Sequence, residues 1–438
     1  MGVRCMAEQV SRLGQWVIAG ELRWRKLRQV RVVLTALRVI FPLVLIGTLA
    51  DLVNRSWLTP TGYYYQTLHV TTWLLRRTRL QQGILLIQTG ALGLAVLGVA
   101  FAVSYLLVAG VTRRTSDRLM GGGLAVLALE FLNVTPATLR AGRPLEWAAM
   151  NLGLPGLALG IVVGLLVGNL YRWGVRRWHH PSDALIRPLT LGTLGVLLTA
   201  FVSLLWLMRG PVDTTFGPAA WLRSTLTGAS DWPALLGVSV LNGGVAWLGS
   251  LSPLPSTPQQ AAMAAQNLAT VLDTGSWHLP HPLTGQTILQ AYANMGGPGM
   301  TLGLLLAIFC VTHNATQRHV GWLSVLPVLG NFNAPLLVGL PVVLSPVFLL
   351  PFLLAPAVCL SLSSLCLALH WVPASAYAFA VGTPGPLISY LGTGGAWSAL
   401  GLAVVNLGLS TAIYYPFVKW AAMADRQLSE EATNDAMG

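Results

Sequence analysis

Long apolar runs alternate with short polar segments along almost the whole chain. Most of these runs approach the roughly 20 residues that an α-helix needs to cross the hydrocarbon core of a membrane. The pattern predicts membrane-spanning helices at 32–53, 83–111, 119–132, 148–170, 189–208, 235–254, 300–311, 347–369 and 400–417. It therefore predicts an all-α polytopic integral membrane protein.

The most apolar stretch runs from residue 320 to residue 418, which is 99 residues without a single Asp, Glu, Lys or Arg. Prolines recur inside it at Pro346, Pro351 and Pro356. Because proline removes a backbone donor and clashes with the preceding turn, this spacing predicts that no single straight helix covers the prolines. In lipid, a broken helix is tolerated only where its free backbone groups are buried in protein or line a wet cavity. A break at 326–346 is therefore a candidate ligand site.

Polar segments divide the chain into five parts. A basic amphipathic segment at 1–31 precedes the membrane region, and a polar tail at 421–438 follows it. The polar segment 210–234 is predicted to link an N-terminal transmembrane half, 32–209, to a C-terminal half, 235–420.

Composition and charge narrow the class of protein further. Only 9% of the residues are charged and the mean hydropathy is +0.65, whereas soluble domains are about one quarter charged. The net charge of +12 comes from basic residues spread over the loops, which form no single basic stripe. This distribution argues against nucleic-acid binding and favours contact with anionic lipid headgroups. The basic segment 1–31 and the arginine-rich loops 113–118 and 172–187 predict that both termini are cytoplasmic.

Several motifs follow one another in the second half, at 294–303 (NMGGPGMTLG), 331–335 (NFNAP), 339–346 (GLPVVLSP), 383–384 (TP), 391–395 (LGTGG) and 414–419 (YYPFVK). This series resembles the IIC permease of the lactose, cellobiose and diacetylchitobiose branch of the bacterial phosphotransferase system. The resemblance implies about ten transmembrane helices, two re-entrant hairpins in the C-terminal half, and a homodimer formed mainly through the N-terminal half. It also implies a carbohydrate substrate, separate IIB and IIA partner proteins, and a place in the bacterial cell membrane.

Four polar residues in or near these motifs are predicted to bind the substrate, namely Asn331, Asn333, Asn242 and Thr383. The amides of Asn331 and Asn333 offer donors and acceptors that suit sugar hydroxyls at a break in a helix. The alternative is that the two residues only cap a half-helix or close a turn, which Asn does well.

The chain departs from the family's pattern at three positions. Ala334 stands where the family has a sugar-contacting Glu, Gly243 where it has a His, and Val381 where it has a Trp. Asp and Glu are also absent between Asp273 and Asp425, so the C-terminal half offers no carboxylate in place of the lost one. Either the substrate differs or the phosphotransfer role has been lost.

The sequence predicts no catalytic residue, no metal site and no cofactor. Pro280 separates His278 from His281 and argues against a helical metal pair, and the chain has no GxxxxGK[ST] phosphate loop. The leading hypothesis is a permease that carries a mono- or disaccharide inward by an elevator-like motion, with phosphoryl transfer from a separate IIB chain. The alternative is a degenerate homologue without phosphotransfer, acting as a facilitator, sensor or partner-binding membrane protein.

Overall fold

The computed structural model describes residues 12–74, 76–133, 149–178, 185–208, 231–251, 257–312, 314–340 and 342–437. Within these residues the chain is helical and contains no β-strand, although an isolated bridge pairs Gly62 with Val381. The predicted all-α fold is confirmed. Most of the predicted linker at 210–234 lies outside the described residues.

The first half is built around long helices that pack side by side. Its helices are α1 (Arg12–Lys26), α2 (Arg28–Val53), α3 (Tyr63–Thr67), α4 (Val70–Trp73), α5 (Arg77–Ala109), α6 (Thr115–Leu132), α7 (Leu157–Arg177) and α8 (Ile186–Met208). α5 lies at the centre and packs on α2, α6 and α7. A Cβ at Gly160, Gly164 or Gly168 of α7 would lie only 2.8 to 2.9 Å from atoms of α5. Such four-residue spacing of small residues is typical of close helix contacts in membranes.

The second half contains shorter and more interrupted helices. They are α9 (Trp232–Trp247), α10 (Pro258–Thr274), α11 (Thr301–Val311), α12 (Ala315–Leu329), α13 (Ala334–Gly339), α14 (Pro346–Ala368), α15 (Gly385–Gly392) and α16 (Trp397–Met437). α11 and α14 pack on α16, and α13 packs on α2 of the first half. One buried apolar core contains residues of α2 and α5 together with residues of the second half. The two halves therefore share a core.

Six described segments are long and apolar enough to cross a membrane, judged by length and composition: Arg28–Leu58, Arg77–Ala109, Leu154–Arg177, Ile186–Leu205, Pro346–Ala368 and Trp397–Glu431. The chain is therefore a multi-pass membrane protein, as predicted. The total of about ten transmembrane helices and the two re-entrant hairpins stay predictions. Other apolar helices are short, since α9 has 16 residues and α11 has 11.

The predicted helix at 148–170 begins later than its apolar pattern indicates. The α-helix starts only at Leu157, because Gly153, Pro155 and Gly156 precede it and disfavour α-helical backbone. Its described approach from Ala149 consists of two short 3₁₀ turns. The hydrophobicity of this region therefore predicts a helix of membrane-spanning length correctly but predicts the helix start incorrectly.

The interruption of the charge-free stretch lies before α14 and not inside it. α14 is one continuous helix that begins at Pro346 and contains Pro351 and Pro356. Proline suits the first turn of a helix, because the N–H that it lacks has no helical partner there. Both internal prolines are buried in the helix packing, where α9 and α16 contact α14. The predicted break is therefore confined to the region between α12 and α14.

Two polar regions of the second half fold differently from each other. The segment 255–292, where the resemblance implies the first hairpin, contains α10. Thr257 starts this helix with a capping box, in which its hydroxyl accepts from the Gln260 N–H at 3.2 Å. The segment 373–395 is rich in Gly, Pro and Thr, is partly unwound, and becomes helical only at Gly385.

Buried hydrogen bonds and ion pairs connect α1 to the second half of the chain. The fully buried Glu21 accepts hydrogen bonds from the Ser345 hydroxyl at 2.9 Å and the Val347 N–H at 3.2 Å, where α14 begins. Arg25 pairs with Glu21 at 2.5 Å and also with Asp425 of α16. Burial lowers the pKa of Arg25, but the charges of Asp425 and Glu21 outweigh burial, so its pKa lies above the ordinary value. α1 and the end of α16 therefore lie on the same side of the molecule.

Candidate functional site

The break between α12 and α14 starts with a tight turn after Leu329. Asn331 in this turn has a φ of +68°, in the left-handed region that Asn tolerates better than most residues. α13 then covers only six residues before the chain turns again and α14 begins at Pro346. The backbone groups that this break frees must find partners outside a regular helix.

Asn331 joins the break to two neighbouring loops. Its Oδ1 accepts a hydrogen bond from the Gly296 N–H at 2.7 Å, and its Nδ2 donates to the Thr383 carbonyl at 3.0 Å. Both ends of the amide are therefore engaged by backbone groups. This geometry favours a positioning role for Asn331, which holds the three loops together.

Asn333 lies just before α13, but its side chain does not cap that helix. Its Nδ2 donates to the Pro298 carbonyl at 3.0 Å, across Gly297, where a Cβ would lie 3.0 Å from Nδ2. Its Oδ1 accepts no hydrogen bond from any residue that the structure describes. Asn333 therefore keeps one acceptor available for a ligand.

The other two predicted site residues are buried near the break. Thr383 is 1% exposed, and its hydroxyl donates to the Ala380 carbonyl at 2.6 Å. Asn242 is 7% exposed and lies on α9. The structure thus brings Thr383 to Asn331 and places Asn242 on a separate helix, and neither lines the cavity described next. Their part in binding stays a prediction.

A cavity of about 260 Å³ opens where α2 meets the loops of the second half. Its lining includes Asp51 of α2, Ala246 of α9, Gln290 at the end of a short π-helix, and the loop residues Asn294, Asn333 and Phe379. Asn331 also reaches its surface. Small-molecule sites usually occupy roughly 300 to 1,000 Å³, and this volume lies just below that range, which suits a small ligand.

Two of the three departures from the family's pattern lie on this cavity. Ala334 and Val381 both line it, which places the missing Glu and Trp positions at the same surface. Gly243 lies elsewhere, since a Cβ there would be 3.1 Å from the Leu353 side chain and 3.3 Å from the Phe352 carbonyl. Position 243 is therefore a close contact between α9 and α14.

The cavity also contains groups that the sequence analysis does not select. Gln290 and Asn294 are half-buried, and neither side-chain amide has a hydrogen-bond partner among the described residues. Phe332 and Phe379 add aromatic surface, although Val381 supplies none at the position of the family's Trp. The available signal was Asn294, which opens the glycine-rich motif, with Gln290 four residues before it.

A loop of the cavity is attached to the first half. The Val381 N–H donates to the Thr61 carbonyl, and the Tyr63 N–H donates to the Val381 carbonyl, both at 3.0 Å. Next to this bridge, a Cβ at Gly382 would lie 2.3 Å from the Ser56 side chain. The cavity is therefore built at the contact between the two halves.

Comparison with known proteins gives a consistent set of matches. The family model "Phosphotransferase system, EIIC" matches residues 78–356. The putative permease IIC component YwbA of Bacillus subtilis (strain 168) is 28% identical over 315 residues, which cover 65% of this chain and 67% of that protein. The lactose-specific EIICB component of Staphylococcus haemolyticus (strain JCSC1435) is 33% identical over 220 residues, which cover 47% of this chain but only 35% of that protein. The crystal structure of ChbC, the IIC component from the N,N'-diacetylchitobiose-specific phosphotransferase system, is 20% identical and superimposes with a TM-score of 0.43 over 96% of this chain and 99% of that one.

Proposed function

The chain belongs to the phosphotransferase system EIIC family, and from this membership we propose that it is a permease that carries a mono- or disaccharide across a bacterial cell membrane. The relatives support this assignment, because one is named as a permease IIC component and another as a lactose-specific EIICB component. The sugar binds in the cavity where the two halves meet.

The polar and aromatic groups that line the cavity are the main support for the proposal. The amides of Gln290 and Asn294 and the Oδ1 of Asn333 face it without protein partners among the described residues. Amides both donate and accept hydrogen bonds, as sugar hydroxyls do. Phe332 and Phe379 supply apolar surface for the carbon side of a sugar ring. A small polyhydroxylated ligand satisfies both kinds of surface together.

The mechanism that we propose is an elevator-like motion of the second half against the first. The cavity suits such a motion because its walls come from both halves. The sugar then receives a phosphoryl group from a separate IIB protein, which is itself supplied by IIA. The contact of α1 with the end of α16 supports the proposal that both terminal segments are cytoplasmic.

The outer surface of the first half fits the proposed homodimer and the surrounding lipid. α8 exposes Leu194, Leu197, Phe201 and Leu204, each by more than half of its surface. Such apolar surface is covered by lipid chains or by a second copy of the protein. The degenerate alternative, a facilitator or sensor without phosphotransfer, gains no support from the named relatives.

Sugar binding and sugar phosphorylation test the proposal together. Purified protein in detergent is titrated with glucose, lactose, cellobiose and N,N'-diacetylchitobiose, and we expect at least one to bind. Membrane vesicles supplied with phosphorylated IIB should then convert the same sugar to its phosphate. Failure of folded protein to bind any of the four sugars would contradict the proposal, and binding without phosphorylation would support the degenerate alternative.

Two matched variants test whether the sugar binds in this cavity. Asn294→Leu should weaken affinity by about 5- to 150-fold, because the sugar loses a neutral hydrogen bond on desolvation. Asn169→Leu makes the same change on α7, where Nδ2 donates to the Leu165 carbonyl within its own helix. The Asn169 variant should bind sugar like the wild type. Equal affinities for the two variants would place the sugar outside the cavity.

A further inference from the structure

We propose that Asp51 is the sugar-binding carboxylate of this cavity and that the first half of the molecule supplies it. The inference rests on the proposed function and adds the residue that recognises the sugar most strongly. The second half contains no Asp or Glu between Asp273 and Asp425, and Ala334 occupies the position of the family's acid. Any carboxylate in this cavity therefore comes from outside residues 274–424.

Asp51 meets this requirement through its position in the fold. It lies in the last turn of α2, is 8% exposed, and is the one charged side chain among the described residues that line the cavity. Close packing fixes α2 against the break, since a Cβ at Gly330 would lie 2.6 Å from the Leu52 side chain. The residue after Asp51 thus rests directly on the turn that contains Asn331.

One oxygen of Asp51 is held by the protein and the other is free. Oδ1 accepts a hydrogen bond from Gln88 Nε2 at 2.9 Å and lies 3.1 Å from Arg55 Nε. Asn54 orients Gln88 in turn, because its Nδ2 donates to Gln88 Oε1 at 3.0 Å. Oδ2 accepts no hydrogen bond from any residue that the structure describes. Hydrogen bonds to Oδ1 therefore orient the carboxylate, and Oδ2 remains available to accept a hydrogen bond from a ligand.

The ion pair with Arg55 does not account for this arrangement. The Arg55 side chain is 47% exposed, and partly solvated pairs contribute little to stability. Ionisable groups within membrane spans are costly and usually serve a function. One sugar hydroxyl can donate a hydrogen bond to Oδ2, while the amides of Gln290 and Asn294 form hydrogen bonds with adjacent hydroxyls of the same sugar. Hydrogen bonds to a charged acceptor are roughly twice as strong as neutral ones, so Asp51 dominates recognition.

Asp51→Asn tests the proposal with little change of shape. We expect sugar affinity to fall by about 10- to 150-fold, as for the loss of a charge-assisted hydrogen bond, with a nearly unchanged melting temperature. The probe is whichever of glucose, lactose, cellobiose and N,N'-diacetylchitobiose binds the wild type most tightly. Asp117→Asn is the matched control, because Asp117 is a fully buried carboxylate that pairs with Arg187 away from the cavity. It should lower the melting temperature and leave sugar affinity intact.

Deoxy analogues of the same sugar give a readout that a structural role would not produce. The analogue that lacks the donating hydroxyl should bind the wild type weakly. The Asp51→Asn variant should bind this analogue with the same affinity as the wild type. Arg55→Ala removes the ion pair and keeps the carboxylate, so it should retain affinity even if Asp51→Asn folds poorly. Additive losses with every analogue, or an affinity loss in Arg55→Ala as large as in Asp51→Asn, would overturn the role of Asp51.

The outcomes separate this inference from the proposed function. Unchanged affinity of Asp51→Asn for a sugar that the wild type binds would overturn the role of Asp51 and leave the permease assignment intact. Absence of sugar binding by the folded wild type would overturn both.

Discussion

Asn331 combines two properties that an apolar side chain does not supply. It tolerates a φ of +68°, and its amide bonds both the Gly296 N–H and the Thr383 carbonyl. We expect Asn331→Leu to lower the free energy of unfolding by roughly 2 to 5 kcal/mol, because Leu is strained in this conformation and buried backbone groups lose their partner. Thermal melting of the detergent-solubilised protein measures this loss.

Asn333→Ala is the comparison for this prediction. It removes one hydrogen bond, to the Pro298 carbonyl, and causes no backbone strain, so its melting temperature should fall less. Its sugar affinity should fall more than that of the Asn331 variant, because the free Oδ1 acceptor is lost. The reverse pattern, with Asn331 controlling affinity and Asn333 controlling stability, would contradict both assignments.

The sequence predicts some of these side chains and misses others for a physical reason. Asn331, Asn333 and Thr383 lie in motifs where polar residues interrupt an apolar stretch, so the sequence was able to select them as candidates. Asp51 ends an ordinary apolar span, and a single acid there is typical of a helix end. Its place on the same cavity as Asn294 depends on the packing of α2 against segments that lie much later in the chain. Hydrophobic periodicity contains no information about that contact.

The start of α14 is capped by a different helix. Ser345 precedes α14 but makes no side-chain cap, and Glu21 of α1 accepts from the Val347 N–H instead. A carboxylate at the N-terminus of a helix is also favoured by the helix dipole. We expect Glu21→Ala to lower the free energy of unfolding by roughly 2 to 4 kcal/mol, since it strands buried groups of α14 and removes one partner of Arg25. Melting temperatures in detergent test this expectation.

Lys26→Ala is the control for the Glu21 variant because it removes a neighbouring ion pair that is exposed to solvent. Lys26 lies 3.0 Å from Glu431, and both side chains are about half exposed. Such a pair contributes roughly 0 to 1 kcal/mol. A loss of stability as large as that of Glu21→Ala would show that the general docking of α1, and not the cap on α14, is responsible.

Helix positions follow the apolar runs closely, but helix ends and continuity depend on contacts between helices. The runs at 32–53 and 347–369 correspond to α2 and α14 within a few residues. The span predicted at 347–369 contains Pro351 and Pro356, and α14 is continuous through both, where they are buried. The cap from Glu21 was not predictable either, since local capping rules consider only the residues that flank a helix.

The described ends of the chain meet on one side of the molecule, which gives the predicted orientation a direct test. Cysteines placed at Arg12 and Ser429 in a cysteine-free background should both be shielded from an impermeant thiol reagent in intact cells. Both should react after permeabilisation. Thr67→Cys, which is exposed and follows the membrane span of α2, should react from outside.

The pattern of labelling distinguishes orientation from fold. Labelling of Ser429→Cys from outside, with shielding of Thr67→Cys, would reverse the orientation and leave the fold intact. Different behaviour of the Arg12 and Ser429 positions would contradict the packing of α1 on α16.

The class of the whole molecule was predictable, whereas the relation between its halves was not. Low charge and long apolar runs suffice to identify a multi-pass membrane protein. A polar linker suggests two separate units, but Leu37 and Val44 of α2 share one core with Leu336 and Val338 of α13. Side chains that face a membrane and side chains that face another helix are equally apolar, so the sequence does not distinguish these two environments.

The contacts of α1 also impose an order on biosynthesis. Glu21 and Arg25 bond residues that lie 326 and 400 positions further along the chain. A ribosome that adds about 5 to 20 residues per second needs roughly 15 to 80 seconds to make that length. During this interval α1 waits without its final partners, and its exposed Trp16 and basic side chains suit a temporary place on the membrane surface. α1 is therefore synthesised long before α16 and is among the last of the described helices to reach its final position. A chain that stops before α16 leaves Arg25 without Asp425.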